Sequence, residues 1–431
     1  MRILLIAHSF TPAANPRSLR WTEIARYWAA NGHSVDVVCA WMPGAARNES
    51  SDNLNVYRVG GALFERLRGW LSGKGGATNA RVVAKPAPTR KSGLRRLIKW
   101  LHDRTWKQVY WPDYAVPWFF AARAQVRRCL SNERYDAVVS VSLPFTGHLV
   151  GWWAKRRSPG SRWIIDAGDP FCYMDETPPN NLALYRRLNH STERRVFADA
   201  DAVSVTTDGT RDRYAQLFPE SAAKIAVIPP LLSRQAGTES ENVFPKDDTI
   251  RIVFIGTLYR NIRSPAFLLS LFERLSRDAN APRTELHFFG ELLDCEELFV
   301  PYRALLGERI FQHGRVTPTT ARCAMAGADV LANIGNLTSY QLPSKVVEYT
   351  STGKRILNIA LHRDDASARF LVDYPYVLTI AQDDADADYA SFARFVATKT
   401  DASVAVAQTW TRRFEVETIA PQYARLLAST V

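Results

Sequence analysis

Three loops in this 431-residue chain carry residue types whose spacing could do chemistry. The first is Gly256-Thr257-Leu258-Tyr259-Arg260-Asn261-Ile262-Arg263, between the apolar run at 252–255 and a helical stretch from 264. A glycine at a strand end lets the backbone approach an anion closely, and Arg260 and Arg263 can neutralise a phosphate. A plain strand-to-helix turn would have the same composition. The second is Gln341-Leu342-Pro343-Ser344-Lys345-Val346-Val347-Glu348-Tyr349, followed by Thr352-Gly353-Lys354. Proline favours a first helical turn and glycine follows a last one, which predicts a helix over 343–352. Ser344 and Lys345 then sit at its positive end, with Glu348 one turn on and on the same face as Lys345. Free amides and an ammonium suit a diphosphate, and a carboxylate suits a pair of vicinal hydroxyls such as a ribose. The competing reading is a surface i, i+3 ion pair. The third loop, Asp166-Ala167-Gly168-Asp169-Pro170, offers Asp169 either to orient an acceptor and help proton transfer or to cap the following turn. Near the first strand end, Asn15, Arg17 and Arg20 are placed to meet an anionic acceptor, whereas His8 and His148 read as packing residues.

These loops need strands to precede them. Strand-like runs at 2–7, 34–40, 136–141, 162–165, 202–206 and 224–228 alternate with helical stretches such as 17–30, 115–130 and 145–155. A second series has strand runs at 250–255, 285–289, 310–313, 329–334, 355–360 and 376–380, again with helices between. Alternation of this kind predicts parallel sheets covered on both faces. The polar stretch 233–248 reads as a linker. The expected α/β architecture is therefore two doubly wound, Rossmann-like domains facing each other across a cleft. They cover 1–235, for the acceptor, and 249–405, for the nucleotide, with 406–431 packing back on the first.

Composition narrows the class. Hydrophobic residues make up 46% and charged ones 23%, which excludes a disordered or fibrous chain. Five scattered cysteines without metal-ligand spacing suggest neither a disulfide framework nor a zinc site, and fit a reducing compartment. Asp383, Asp384, Asp386 and Asp388 lack the glycine and closing glutamate of a calcium loop and read as a solvated turn. The first ten residues are too short in apolar run for an export signal, and no window is apolar enough to span a bilayer. Of the net charge of +12, most sits between Arg66 and Lys107, where twelve basic residues face one acid, Asp103. Helical periodicity at 63–71 and 94–101 flanks a Gly, Pro and Lys-rich stretch there. A basic amphipathic insertion over about 62–110 with tryptophans nearby suits an anionic membrane surface. The alternative is a solvated loop; no nucleic-acid recognition motif is visible.

The run PSKVVEYTSTGKRIL at 343–357 resembles the donor-binding segment of glycosyltransferase family 4. MRILLIAHSFTP, VFIGTLYR, LHFFGE, FQHGRV and ADVLANI agree with it in order. WPDYAVPW, YDAVVSVSLPFTGHLVG and WIIDAGDPF resemble a branch of that family active in surface-polysaccharide assembly. The resemblance implies a GT-B fold and a retaining transfer of sugar from a UDP- or GDP-linked donor to a lipid-linked saccharide, at the cytoplasmic face of a membrane, without a metal or other cofactor. It implies donor contacts from Gly256, Thr257, Arg260, Arg263, Pro343, Ser344, Lys345 and Glu348. Catalytic roles fall to Asp169, Lys345 and Arg263, and acceptor contacts to Asn15, Arg17 and Arg20. Two departures stand out: Tyr340 occupies the place of a first glutamate, and Gly168 that of a histidine. They favour, as one alternative, a non-catalytic nucleotide-sugar-binding protein; a nucleotide-sugar epimerase on the same fold is another.

Overall fold

The computed structural model describes residues 1–13, 15–61, 105–232, 243–382, 385–398 and 400–428. The basic insertion expected at 62–110 falls almost wholly outside them, as do 233–242 of the linker, Asp383 and Asp384. The chain divides into two units, one of Met1–Thr206, Arg211–Ile228 and Ile419–Val431, the other of Thr207–Thr210 and Pro229–Thr418.

Unit 1 runs β1 (Arg2–Ile6), α1 (Pro16–Ala30), β2 (Ser34–Ala40), β3 (Asn48–Ser51), β4 (Leu54–Val59), a short α2 (Trp106–Val109), α3 (Val116–Asn132), β5 (Ala137–Ser142), α4 (Thr146–Arg157), β6 (Arg162–Ala167), α5 (Leu182–Asp199), β7 (Ala202–Val205), α6 (Asp208–Leu217) and β8 (Ile225–Val227). Its sheet has the order β3-β4-β2-β1-β5-β6-β7-β8, parallel except for β3. The central strands are apolar almost throughout because helices cover both faces; every residue of β5 is buried. The β3–β4 hairpin is absent from the sequence expectation. Its outer strand, Asn-Glu-Ser-Ser, is wholly exposed and so has no apolar alternation to reveal it. Helix α1 starts where Asn15 accepts a hydrogen bond from Ser18 N and Pro16 sets the first turn. It buries Trp21 and Trp28 against Tyr423 of the final helix (Val416–Ala428).

Unit 2 contains β9 (Ile250–Ile255), α7 (Ala266–Arg277), β10 (Thr284–Phe289), β11 (Ile310–Gly314), α8 (Pro318–Gly327), β12 (Val330–Ile334), α9 (Ser344–Thr350), β13 (Arg355–Ala360), α10 (Ala366–Phe370), β14 (Val377–Ala381), α11 (Ala385–Ala397) and α12 (Val404–Phe414). The all-parallel order β11-β10-β9-β12-β13-β14 reverses direction between β9 and β12, so the loops after those two strands lie at the switch point where open α/β sheets bind ligands. These are the Gly256 loop and the 335–343 segment leading into α9. Helix α9 is shorter than the predicted 343–352: Pro343 is its cap rather than its first residue, and Gly353, at φ +66°, turns the chain away. A Cβ there would lie 2.1 Å from Ser403 O, so only glycine fits.

His148 illustrates a cost of this core. It lies inside α4 at 1% exposure, its Nδ1 2.9 Å from Ser140 Oγ. Burial holds its pKa down to about 3, with Arg17 adding to and Asp166 opposing the shift. The folded imidazole therefore stays neutral while the unfolded one takes a proton below its ordinary value, so stability is intact above about pH 6.5 and declines as pH falls toward 3, by about 1.4 kcal/mol per pH unit. Urea midpoints measured at pH 7 and pH 5 should show this decline, and His148→Gln should make it shallower; an unchanged slope would contradict the assignment.

Candidate active site

In unit 2 the second and first loops meet. The last residue of β9 is fastened to α9 by Tyr349, whose buried hydroxyl accepts from Ile255 N at 2.9 Å. Gly256 follows, and a Cβ at that position would lie 3.4 Å from Arg263 Nη1, which places the guanidinium over the glycine. Arg263 Nη2 donates to Asn336 Oδ1 at 2.8 Å, and Asn336 Nδ2 donates to Gln341 O at 3.1 Å. Leu337 N to Ile262 O at 2.7 Å ties the same two loops together. Burial draws the Arg263 pKa below its ordinary value, against the pull of Tyr349, Tyr259 and Asp365, yet a guanidinium starting that high stays charged. Two close backbone approaches support the cradle. A Cβ at Gly290 would lie 1.8 Å from Gly256 O, and one at Gly335 would lie 2.1 Å from Asp365 Oδ2.

Lys345 and Glu348 are brought together as a salt bridge of 2.5 Å, with about a third of each side chain exposed, 35% and 34%. A half-exposed pair of this type contributes only a few tenths of a kcal/mol, so a ligand that offers each group a better partner can separate them at little cost. Pro343 is buried and Ser344 exposed at the start of α9, and Thr257 is half-buried beside Gly256. Arg260 departs from expectation. Its Nε donates to Asp294 O at 3.2 Å and its Nη2 to Glu297 Oε2 at 3.0 Å, which directs the guanidinium at the segment Leu293–Leu305. Of the two loop arginines, Arg263 is the one held at Gly256. Asn336 was not singled out from the sequence; a Gly-Asn pair closing a buried strand was the available signal.

In unit 1 the third loop closes β6. Asp169 is 38% exposed and accepts from Arg17 Nη2 at 2.6 Å; Arg17 Nη1 lies 3.9 Å from Asp166 Oδ2. A Cβ at Gly168 would sit 1.6 Å from Arg17 Nη1, so the arginine fills the space a side chain at 168 would need. Gly168→Ala is therefore expected to displace Arg17 from Asp169 by about 1–2 kcal/mol of lost coupling, and to be non-additive with Arg17→Ala. A double-mutant cycle on unfolding free energy checks this; strict additivity would mean the two positions do not share that space.

One acceptor assignment is corrected. Arg20 is 7% exposed, with Nη2 donating to Tyr423 OH at 2.8 Å and Ile228 O at 3.2 Å, so it is a core residue unable to meet an acceptor. Asn15 has its side-chain oxygen committed to capping α1. Of the three, Arg17 alone presents a partly exposed charge beside Asp169. Asp166, in the same strand, was legible only as one acid in an apolar run. It is buried and accepts from Trp21 Nε1, Ser204 Oγ and Tyr423 OH at 2.8–2.9 Å.

The glycosyl transferase 4-like domain matches residues 18–230. Solved structures aligning along the whole chain include sucrose-phosphate synthase from Thermosynechococcus elongatus, 16% identical over 99% of this chain and 97% of that one, at a TM-score of 0.64. HepE from Anabaena in complex with UDP aligns at 13% identity, TM-score 0.57, over the full length of both chains. WaaG, a glycosyltransferase involved in lipopolysaccharide biosynthesis, aligns at 12% identity, TM-score 0.53, likewise over both full lengths. Residues 18–230 carry the glycosyl transferase 4-like domain, and the chain as a whole has the GT-B fold of these structures. No curated protein matches it in sequence. Arg263 offers a fixed positive charge at the β9–β12 switch point, where open α/β sheets bind ligands.

Proposed function

We propose that this glycosyltransferase moves a sugar, with retention, from a UDP- or GDP-linked donor to a lipid-linked saccharide in cell-surface polysaccharide biosynthesis, acting at the cytoplasmic face of a membrane. The observations that carry the donor half are Arg263 held over Gly256 at the sheet's switch point and the Lys345–Glu348 pair on α9, the helix that Tyr349 fastens to the end of β9. Cleavage of the glycosidic bond leaves negative charge on the diphosphate, and fixed cations lower that barrier. Lys345 and Arg263 supply this charge in our reading, with Glu348 on the ribose and no metal. HepE, which carries UDP in its solved complex, supports a uridine nucleotide as the first to test. The involvement of WaaG in lipopolysaccharide biosynthesis supports the acceptor class. The membrane association is assigned to the basic insertion at 62–110. No helix among the described residues is long and apolar enough to cross a membrane.

A thermal-shift comparison of UDP, GDP and ADP tests the donor half. A nucleotide at about 100 times its Kd adds about 2.7 kcal/mol to stability. We expect UDP or GDP to raise the unfolding transition by several degrees and Lys345→Ala to abolish the shift. No shift with any of the three would contradict the nucleotide site. A panel of UDP- and GDP-sugars, assayed with and without chelator, then identifies the donor, and activity lost to the chelator would contradict the metal-free reading.

A further inference from the structure

At the carboxyl edge of the sheet in unit 2 lies a cavity of about 470 Å³ that Arg263, Lys345 and Glu348 do not line. Asn261 and Ser264 reach it from the segment after β9, Ala266 from the start of α7, and Leu337, Leu361 and Gln382 from just after β12, β13 and β14. Its walls are therefore residues that follow strands, the place where open parallel sheets bind ligands, and its volume is ordinary for a small-molecule site. Among the described residues that line it, Arg260 alone is charged, and its guanidinium is turned to Asp294 O and Glu297. Asn261 and Gln382 are exposed, and their carboxamides bond no other described residue. Leu337 is 52% exposed, yet its backbone is fixed on both sides: N donates to Ile262 O at 2.7 Å, and O accepts from His362 Nε2 at 3.0 Å. The cavity thus holds an apolar platform in a set place beside two free amides.

That lining selects a ligand class. A phosphate needs a cation that is not already paired, and a wholly apolar ligand would strip the carboxamides and the Ser264 hydroxyl of water without replacing it. A sugar ring answers both halves. Its C–H faces can lie on leucine, and its neighbouring hydroxyls each donate and accept, matching the donor and acceptor that a carboxamide carries side by side. We infer that this cavity binds a neutral saccharide unit, with Leu337 and Leu361 against the ring and Asn261, Ser264 and Gln382 on its hydroxyls. Such a role rests on the proposed transferase reading, which makes a glycan the substrate at hand, and it adds a saccharide contact separate from the diphosphate loop.

The test is saturation-transfer NMR on the full-length protein, with the methyl α-glycosides of glucose, galactose, mannose and N-acetylglucosamine as probes, each titrated for its Kd. At least one should bind with a millimolar Kd, and saturating UDP should not displace it. Joint replacement Asn261→Ala and Gln382→Ala should weaken that binding about fivefold, and Leu337→Ser about threefold. Failure of every glycoside to bind, wild-type affinity in the double variant, or displacement by UDP would overturn the inference. So would glucose 1-phosphate binding more tightly than any of the glycosides and losing that binding in the double variant, since the cavity would then be an anion site. If the double variant fails to fold, Leu337→Ser decides: unchanged binding overturns the inference. Nucleotide-induced stabilisation, read without glycoside, reports on the donor site separately, since it can fail while glycoside binding persists and persist while glycoside binding fails.

Discussion

Lys345→Ala is expected to lower turnover by about 10²–10³-fold, a loss of roughly 3–4 kcal/mol of transition-state stabilisation. The reasoning is electrostatic. Lys345 sits at the first turn of α9, the helix that Tyr349 fastens to the strand before Gly256, and its present partner is the weakly held Glu348. Moving the ammonium from that pair to a diphosphate releases little, whereas charge developing on a leaving group in a partly desolvated loop gains much. The fold should hardly notice the substitution, because a half-exposed i, i+3 pair is worth only tenths of a kcal/mol. Steady-state kinetics alongside urea unfolding separates the two effects: full turnover removes Lys345 from the mechanism, and a large stability loss would make the pair structural. Glu348→Gln should act mainly on nucleotide affinity, about tenfold, as expected for one charged hydrogen bond to a hydroxyl.

Asp166→Ala is expected to destabilise unit 1 by about 3–5 kcal/mol. The carboxylate is 1% exposed and receives Trp21 Nε1, Ser204 Oγ and Tyr423 OH, while Tyr423 in turn receives Arg20. Burial alone would push the pKa of Asp166 up, but Arg20, Arg17 and the hydrogen bonds hold it below the ordinary carboxylate value. Removing it strands three donors and leaves the buried Arg20 without its countercharge, the situation in which broken buried pairs are most costly. The sign of the pH effect follows. With the folded pKa depressed, the stabilisation is fully present above the unfolded value near 3.9 and is lost as pH falls below that and through the lower folded value. Asp166→Asn should therefore flatten the acid limb of the stability curve, and a change under about 1 kcal/mol for the alanine variant would mean the network is not coupled.

How much of this was visible in the residues themselves depended on burial. Strands with continuous apolar runs declared themselves: 250–255 and 355–360 coincide with β9 and β13 end for end. Edge structure did not, because β3 is polar and exposed and has no apolar alternation to mark it. At the site, Lys345 and Glu348 followed from helical spacing. The different fates of Arg260 and Arg263 could not, since what separates them is Asp294 and Glu297 on one side and Asn336 on the other, all more than thirty positions away. Arg20 misled for a similar reason. An arginine one turn from Arg17 reads as surface charge, and only the return of Tyr423 from the chain's far end makes it a core residue. Gly168 read as a missing side chain, whereas the space is taken by Arg17.

The most direct test of the account is a crystal structure of the protein soaked with UDP or GDP, whichever gives the larger thermal shift. The account predicts the diphosphate within hydrogen-bond distance of Lys345 Nζ and the Arg263 guanidinium, the ribose hydroxyls on Glu348, and the Lys345–Glu348 contact opened. Nucleotide density elsewhere on the chain, with that salt bridge intact, would contradict it.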